Sequence, residues 1–326
     1  MLLTRNGEIF LMATMQAVVV DPTAAQRLTL RTVEQPTPHH DEVLVRVAAI
    51  SLNRGEVDGA MRAEAGTRPG WDFAGTVTQA AADGTGPALG ARVVGLMPTG
   101  AWAEFVAVPT NLVATLPDAV TFAQAATLPV AGLTALYAVE KATGIIGRTA
   151  LVTGASGGVG YFATQLAHLA GAFVVGTVRQ EQHADLVRTA HADHVVVGDS
   201  IDAAREFGPY RLIVDGVGGQ TLSTALTMLA HSGTAVMYGS TTGADIAFNI
   251  WSVAGVGRTS IQGLTLFNEL GNAPANEGLD RLARLVAAGK LNAHIALEAP
   301  WTEIGAVARQ LLDRGYPGKA VLHIGN

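Results

Sequence analysis

Residues Val152 to Gly160 read VTGASGGVG, a glycine-rich run near the middle of the chain. The apolar run TALVT leads into it, and behind it Val159, Phe162, Ala163, Leu166 and Ala170 recur at spacings of three to four residues. That period lays one apolar helix face on a sheet, so the glycines mark a strand-to-helix turn. The start of such a helix carries backbone N–H groups without acceptors and the positive end of the helix dipole, which together suit a phosphate. Gly157 and Gly158 let the backbone approach that group, Ser156 and Val159 flank them, and Gly160 lets the helix pack closely on its strand. A connecting turn that holds nothing is the competing reading of an isolated glycine motif. The residues around the motif decide between the two.

Downstream, AFVVGTV, HADHVVVG, RLIVDGV and TAVMYGS read as strands, and TLSTALTMLAHSG as a helix. Strands alternating with helices indicate βαβ units and a doubly wound parallel sheet. Upstream, from a first strand at about Gln16, short β-rich runs are cut by Pro and Gly: QAVVVD, RLTLRTVE, EVLVRVAAIS, FAGTVTQ, RVVGLM and WAEFVAVP. Such closely spaced strands predict a compact β-rich domain. Residues 1–14 read as a ragged extension without a clear small-residue cleavage site. Beyond about Gly263, LDRLARLVAAGKL and TEIGAVARQLLDRG are amphipathic helices ending near Gly289 and Gly315, and KAVLHI is a last strand. That strand has no evident parallel partner, so the chain is expected to return to the β-rich domain. The predicted division is 1–128 plus 263–326 for the β-rich domain and 129–262 for the parallel-sheet domain.

Composition limits the function. The net charge is −6 and the pI near 5.8, leaving no basic stripe for nucleic acid or anionic lipid. No run approaches the ~18 apolar residues of a membrane span. The cysteine count is 0, which removes disulfides, thiolate nucleophiles and Cys-based zinc sites. A cytoplasmic enzyme is the expectation.

The residue after the second strand of the parallel sheet identifies the cofactor. Folds selective for NAD place a carboxylate there, about twenty residues beyond the glycines, on the ribose 2′-hydroxyl. Here the position is Arg179, whose guanidinium forms charge-assisted hydrogen bonds with a 2′-phosphate. NADPH is therefore expected over NADH, with Glu181 nearby as the opposing feature.

TGASGGVG also fits the glycine pattern of short-chain dehydrogenases, and Tyr137-Ala-Val-Glu-Lys141 their Y-x-x-x-K. In that family the pair follows the loop; here it precedes it, so Tyr137 and Lys141 read as helix packing and a solvated charge. The layout from Met15 to the end instead resembles the medium-chain dehydrogenase/reductase superfamily, in its zinc-free quinone oxidoreductase-like branch of the zeta-crystallin type. The stretches that carry the resemblance are SLNRGEV, PGWDFAGTV, GAWAEFVAVP, ATLPVAGLTALYAV, LVTGASGGVG, IVDGVGG, MYGS and PGKAVL. The resemblance implies an α/β chain in which a Rossmann domain is inserted into a GroES-like β-rich domain, and a homodimer as in related proteins. Zinc alcohol dehydrogenases of the superfamily bind metal through a Cys and a His; the corresponding positions look like Asn53 and Trp71-Asp72, which cannot assemble that site.

The resemblance also implies the site. Asn53 lies beside the nicotinamide and acceptor, and Thr134 approaches the nicotinamide. Ser156, Gly157, Gly158, Val159 and Arg179 take the pyrophosphate and adenosine end. Val217, Gly239 and Ser240 line the strand ends, and Trp71, Met97 and Phe267 are candidates for an apolar acceptor pocket. No general acid is evident, with Asp72 and Asp215 read as structural. Hydride transfer from NADPH to a quinone or similar activated carbonyl is the expected reaction. Reduction of an enoyl or alkenal double bond is the alternative, and a non-catalytic NADPH-binding scaffold or sensor a second.

Overall fold

The computed structural model describes the backbone of residues 2–5 and 8–11 and the whole of 13–24 and 26–325. It divides into two units, the first made of Met1–Pro129, Pro274–Arg284 and Ile295–Asn326, the second of Val130–Ala273 and Leu285–His294.

The first unit begins with strands β1 (Leu2–Arg5), β2 (Glu8–Leu11), β3 (Thr14–Val20), β4 (Leu28–Glu34) and β5 (Glu42–Ser51). Helix α1 (Arg54–Arg62), strands β6 (Asp72–Gln79), β7 (Arg92–Leu96), β8 (Phe105–Pro109) and β9 (Val113–Thr115), and helix α2 (Phe122–Ala126) follow. The second unit contains α3 (Leu133–Glu140), β10 (Thr149–Val152), α4 (Gly158–Leu169), β11 (Phe173–Val178), α5 (Ala184–Thr189) and β12 (His194–Val197). It continues with β13 (Tyr210–Asp215), α6 (Gly219–Leu226), β14 (Leu229–Met237), α7 (Ile250–Ala254), β15 (Ser260–Gly263) and α8 (Leu266–Glu269). Helix α9 (Ala275–Ala287) runs across the 284/285 boundary, and β16 (Ile295–Pro300), α10 (Ile304–Leu312) and β17 (Lys319–His323) complete the first unit.

In the first unit β16, β17, β5, β6, β7 and β9 form one sheet in that order, with β8 on β5. The ten residues of β5 serve two neighbours, pairing antiparallel with β8 over Glu42–Arg46 and with β17 over Ala49–Ser51. Its alternating Val and Ile residues face a core with Phe73, Trp102, Val20 and Ile304, all at most 1% exposed.

The second unit has six parallel strands in the order β12, β11, β10, β13, β14, β15. Counted within the unit the order is 3-2-1-4-5-6, the Rossmann arrangement, and the chain reverses its direction of travel between β10 and β13. Leu151, Val175, Ile213 and Ala235 form a core with Leu222, Ala225 and Leu226 of α6, and α4 buries Phe162, Ala163 and Leu166.

Four expectations need correction. The predicted helix over TLSTALTMLAHSG stops at Leu226, because Leu229 already pairs with Tyr210 and opens β14. The last strand does return to the first unit, but it has a parallel partner, β16, alongside antiparallel β5. The extension is not wholly irregular: Leu2–Arg5 pairs with Glu8–Leu11, and β3 starts at Thr14. The parallel-sheet unit runs past 262 to Ala273 and takes in Leu285–His294 as well. Residue Leu264 bonds back to Met237, Glu269 pairs with Lys141 at 2.7 Å, and Asn292 is held by Gln165. That ion pair also means Lys141 is not a freely solvated charge.

Candidate active site

In the second unit the glycine turn follows β10 at the point of reversal. Gly154 takes φ +59°, and Gly157 closes the turn by donating to the Gly154 carbonyl. The first helical bond of α4 runs from the Tyr161 N–H to the Gly157 carbonyl, so the N–H groups of Gly158, Val159 and Gly160 lack i−4 acceptors. A Cβ on Gly160 would lie 2.4 Å from the Gly154 oxygen and 2.8 Å from the Ala155 Cα, so helix and turn meet backbone to backbone. On Gly157 it would meet only the Gly154 oxygen, at 3.3 Å.

Buried Asp215, at the end of β13, ties two loops together. Its carboxylate accepts from Thr153 Oγ1 at 2.5 Å and from the Gly218 N–H at 2.9 Å. Burial raises its pKa, and these hydrogen bonds oppose the rise. A Cβ on Gly218 would strike Ser240 Oγ at 2.4 Å, and one on Gly154 would touch Val217 Cγ2 at 3.3 Å. The turn, Val217, Gly239 and Ser240 therefore gather at the carboxyl ends of β10, β13 and β14, where doubly wound sheets bind ligands. Arg179 follows β11 directly and is exposed, with no hydrogen bond or ion pair among the described residues. Thr134 is buried on α3, and Phe267 is partly buried on α8. These features fit a phosphate-bearing dinucleotide: open N–H groups at a helix start, a turn without side-chain bulk, and an unpaired guanidinium beyond the second strand.

In the first unit Asn53 ends the chain's run out of β5 and starts α1. It sits in a charged cluster that sequence reading missed. The Asn53 backbone N–H donates to Glu56 Oε1 at 2.6 Å, and Asn53 Nδ2 donates to Glu56 Oε1 at 3.0 Å and Asp72 Oδ2 at 2.7 Å. Lys319 Nζ donates to Asn53 Oδ1 at 2.5 Å, Asp72 Oδ2 at 3.3 Å and the Leu52 carbonyl at 2.9 Å. Glu56 Oε2 also accepts the Trp71 N–H at 2.7 Å. Glu56 and Lys319 are each 4% exposed and Asp72 is 0% exposed. Burial, followed by the Asp72 charge, pushes the Glu56 pKa well above the usual carboxylate range, against the pull of Lys319 and Asn53. A sequence signal for Glu56 existed, since Asn-x-x-Glu ahead of a helix is a capping pattern. For Lys319 the sequence offered only its place in PGKAVL, which names no partner for it.

The Trp71 indole packs over Gly55, and Met97 donates its N–H to the Trp71 carbonyl at 2.9 Å. Met97 also lines a cavity of about 370 Å³ with Pro36, Arg68, Thr99 and Phe105, and neither Trp71 nor Phe267 is among its walls.

The chain thus joins a β-rich unit with a buried charged cluster and a six-stranded unit of the dinucleotide-binding arrangement. Comparison with known proteins makes this specific. The model described as Alcohol dehydrogenase GroES-like domain matches residues 39–118, and the one described as Zinc-binding dehydrogenase matches 158–284. A mycocerosic acid synthase-like polyketide synthase of Mycobacterium tuberculosis is 32% identical over 233 residues, 68% of this chain and 11% of that protein. A chloroplastic quinone-oxidoreductase homolog of Spinacia oleracea is 32% identical over 218 residues, 61% of this chain and 66% of that one. A mycobacterial quinone oxidoreductase structure has a TM-score of 0.84 at 27% identity, covering 95% of this chain and 100% of its own. The chain belongs to the medium-chain dehydrogenase/reductase superfamily, in its quinone oxidoreductase-like branch. It spans less than a sixth of the synthase relative.

The zinc in the second model's description does not suit the residues here. Among the described residues no three or more His, Cys, Asp or Glu side chains gather as a metal site. At Asn53 and Asp72 the facing oxygens are already bridged by the Lys319 ammonium, whose charge would repel a divalent ion at the same atoms. No helix among the described residues is long and apolar enough to cross a membrane.

Proposed function

We propose that the protein is an NADPH-dependent, zinc-independent oxidoreductase that reduces a quinone or similar activated carbonyl. The observation that carries this reading is Arg179, an exposed and unpaired guanidinium immediately beyond β11, on the unit that bears the glycine turn. The N–H groups of Gly158, Val159 and Gly160 bind the pyrophosphate, with Ser156 and Gly157 shaping the approach. Arg179 pairs with the 2′-phosphate, and Val217, Gly239 and Ser240 line the path towards the nicotinamide. In the first unit Asn53 is assigned to the reaction and Trp71 and Met97 to the acceptor; in the second unit Thr134 is assigned to the reaction and Phe267 to the acceptor. When bound, the reduced nicotinamide supplies the hydride, and the quinone takes its proton from water. A similar mycobacterial structure, 28% identical with a TM-score of 0.83 and covering 95% of this chain and 100% of its own, is a complex with NADPH, which supports the choice of cofactor.

The test is loss of NADPH absorbance in metal-free buffer with 9,10-phenanthrenequinone and, in parallel, a 2-alkenal. Quinone turnover is expected, faster with NADPH than with NADH. In Arg179→Ala, two charge-assisted hydrogen bonds fewer should weaken NADPH by about 10- to 100-fold while NADH stays within about threefold. An equal loss for both cofactors would remove Arg179 from the 2′-phosphate. Reduction of an enoyl or alkenal double bond is the second reading, and turnover confined to the alkenal would select it.

We also propose a homodimer. Strand β15 is an edge of the six-stranded sheet, and Ile261 on it is 38% exposed. Ile250 and Trp251, on the preceding helix, are 60% and 75% exposed. An open edge flanked by exposed apolar side chains suits pairing with a second copy. Sedimentation velocity should give the mass of two chains, shifting towards one in Trp251→Glu. The single-chain mass for the unaltered protein would reject the dimer.

A further inference from the structure

We infer that Lys319 is a positioning residue for Asn53, fixing its carboxamide so that Asn53 meets a ligand through Oδ1 and never through Nδ2. The inference deepens the assignment of Asn53 to the reacting end.

A carboxamide has two N–H donors and two acceptor lone pairs. Both Asn53 Nδ2 donors are consumed, one by Glu56 Oε1 and one by Asp72 Oδ2, while Oδ1 accepts from Lys319 Nζ and faces the Glu56 backbone N–H in a capping box. Rotating the amide end for end would set Oδ1 against two carboxyl groups and Nδ2 against an ammonium, so the orientation follows from the charges around it. Lys319 is equally committed, with its three donors on Leu52 O, Asn53 Oδ1 and Asp72 Oδ2. The contact is a product of register. The antiparallel ladder that sets Val321 opposite Ser51 carries Lys319, two residues back, to Asn53, two residues on.

The consequence concerns what Asn53 recognises. Oδ1 so held accepts from an N–H or O–H group, such as the amide N–H of a nicotinamide or a substrate hydroxyl. It cannot donate to the carbonyl oxygen of an acceptor, so negative charge developing on that oxygen receives no hydrogen bond from Asn53. Without Lys319, Oδ1 loses its anchor and the amide is free to turn away from its ligand.

Two measurements test this. The first is a cycle of Lys319→Met, Asn53→Leu and the double variant in NADPH-dependent quinone reduction. Each single change should lower kcat by about 100-fold, the scale of a small misplacement of a reacting group, with NADPH affinity within about threefold because the phosphates are held elsewhere. The double variant should be no slower than Asn53→Leu, since Lys319 acts through Asn53; losses that multiply would overturn the proposal. The second is the side-chain amide signal of Asn53 in protein labelled with ¹⁵N-asparagine, assigned by its disappearance in Asn53→Leu. Slow hydrogen exchange should become fast in Lys319→Met, and unchanged exchange would overturn the proposal whatever the activity. Should Lys319→Met not fold, Lys319→Arg keeps the charge but spreads it over a planar fork, and the same two readings apply. If Asn53→Leu leaves kcat unaltered while exchange responds to Lys319, the assignment of Asn53 to the reaction fails and the positioning contact stands.

Discussion

Gly160→Ala is expected to lower stability by about 3 kcal/mol or more, because the added methyl has nowhere to go. Its two nearest neighbours, the Gly154 oxygen at 2.4 Å and the Ala155 Cα at 2.8 Å, are backbone atoms of the same turn. Neither can rotate aside as a side chain would, so α4 must lift from the sheet. That movement carries Phe162, Ala163 and Leu166 out of close contact and shifts the N–H groups proposed to bind a pyrophosphate. A fall of roughly 6–12 °C in the melting temperature follows for a unit of this size, together with a large loss of NADPH affinity. Gly157→Ala is the contrasting variant. Gly157 is exposed at φ −80° and ψ 168°, which any residue adopts, and its Cβ would meet only one atom at 3.3 Å. It should melt close to the unaltered protein while binding NADPH less well, since the methyl stands where the phosphates approach. If calorimetry shows Gly160→Ala melting like Gly157→Ala, the close approach of helix and turn is not what the glycine provides.

The second large effect is expected at Asp215. Asp215→Ala leaves the buried Thr153 hydroxyl and the Gly218 N–H without their acceptor, at about 1–3 kcal/mol for each stranded group. The loops after β10 and β13 then lose their common tie, so NADPH affinity should fall with stability. Thr153→Val removes one donor and should cost less, and adding it to Asp215→Ala should cost less than the sum. The pH dependence has a definite sign. Burial sets the native pKa of Asp215 above its unfolded value, so the group contributes most below the unfolded value and progressively less as pH rises through the native one. The stability difference between the unaltered protein and Asp215→Asn should therefore shrink from mild acid towards neutral pH. A difference that widens over that range would mean that the hydrogen bonds, rather than burial, set the ionisation of this group.

The parallel-sheet unit and the glycine pattern of its first turn were legible in the amino-acid sequence. The strand, the glycines and the apolar helix face lie within one contiguous stretch, and their periods are properties of local geometry. Arg179 was legible for the same reason, being the first residue after a recognisable strand. Where local pattern competes with pairing, sequence reading fails: TMLAHSG has helix-compatible residues, yet Leu229 is drawn into a ladder with Tyr210. The missing parallel partner of β17 was a failure of the same kind, since β16 is bound to it by pairing that no local period announces. The charged cluster lay furthest from view. Lys319 stands 266 residues from Asn53, and only the register of β17 on β5 brings an ammonium to that amide. Tertiary structure alone decides it, because burial and proximity, which set the pKa of Glu56 and the orientation of Asn53, come from strands that meet across nearly the whole chain.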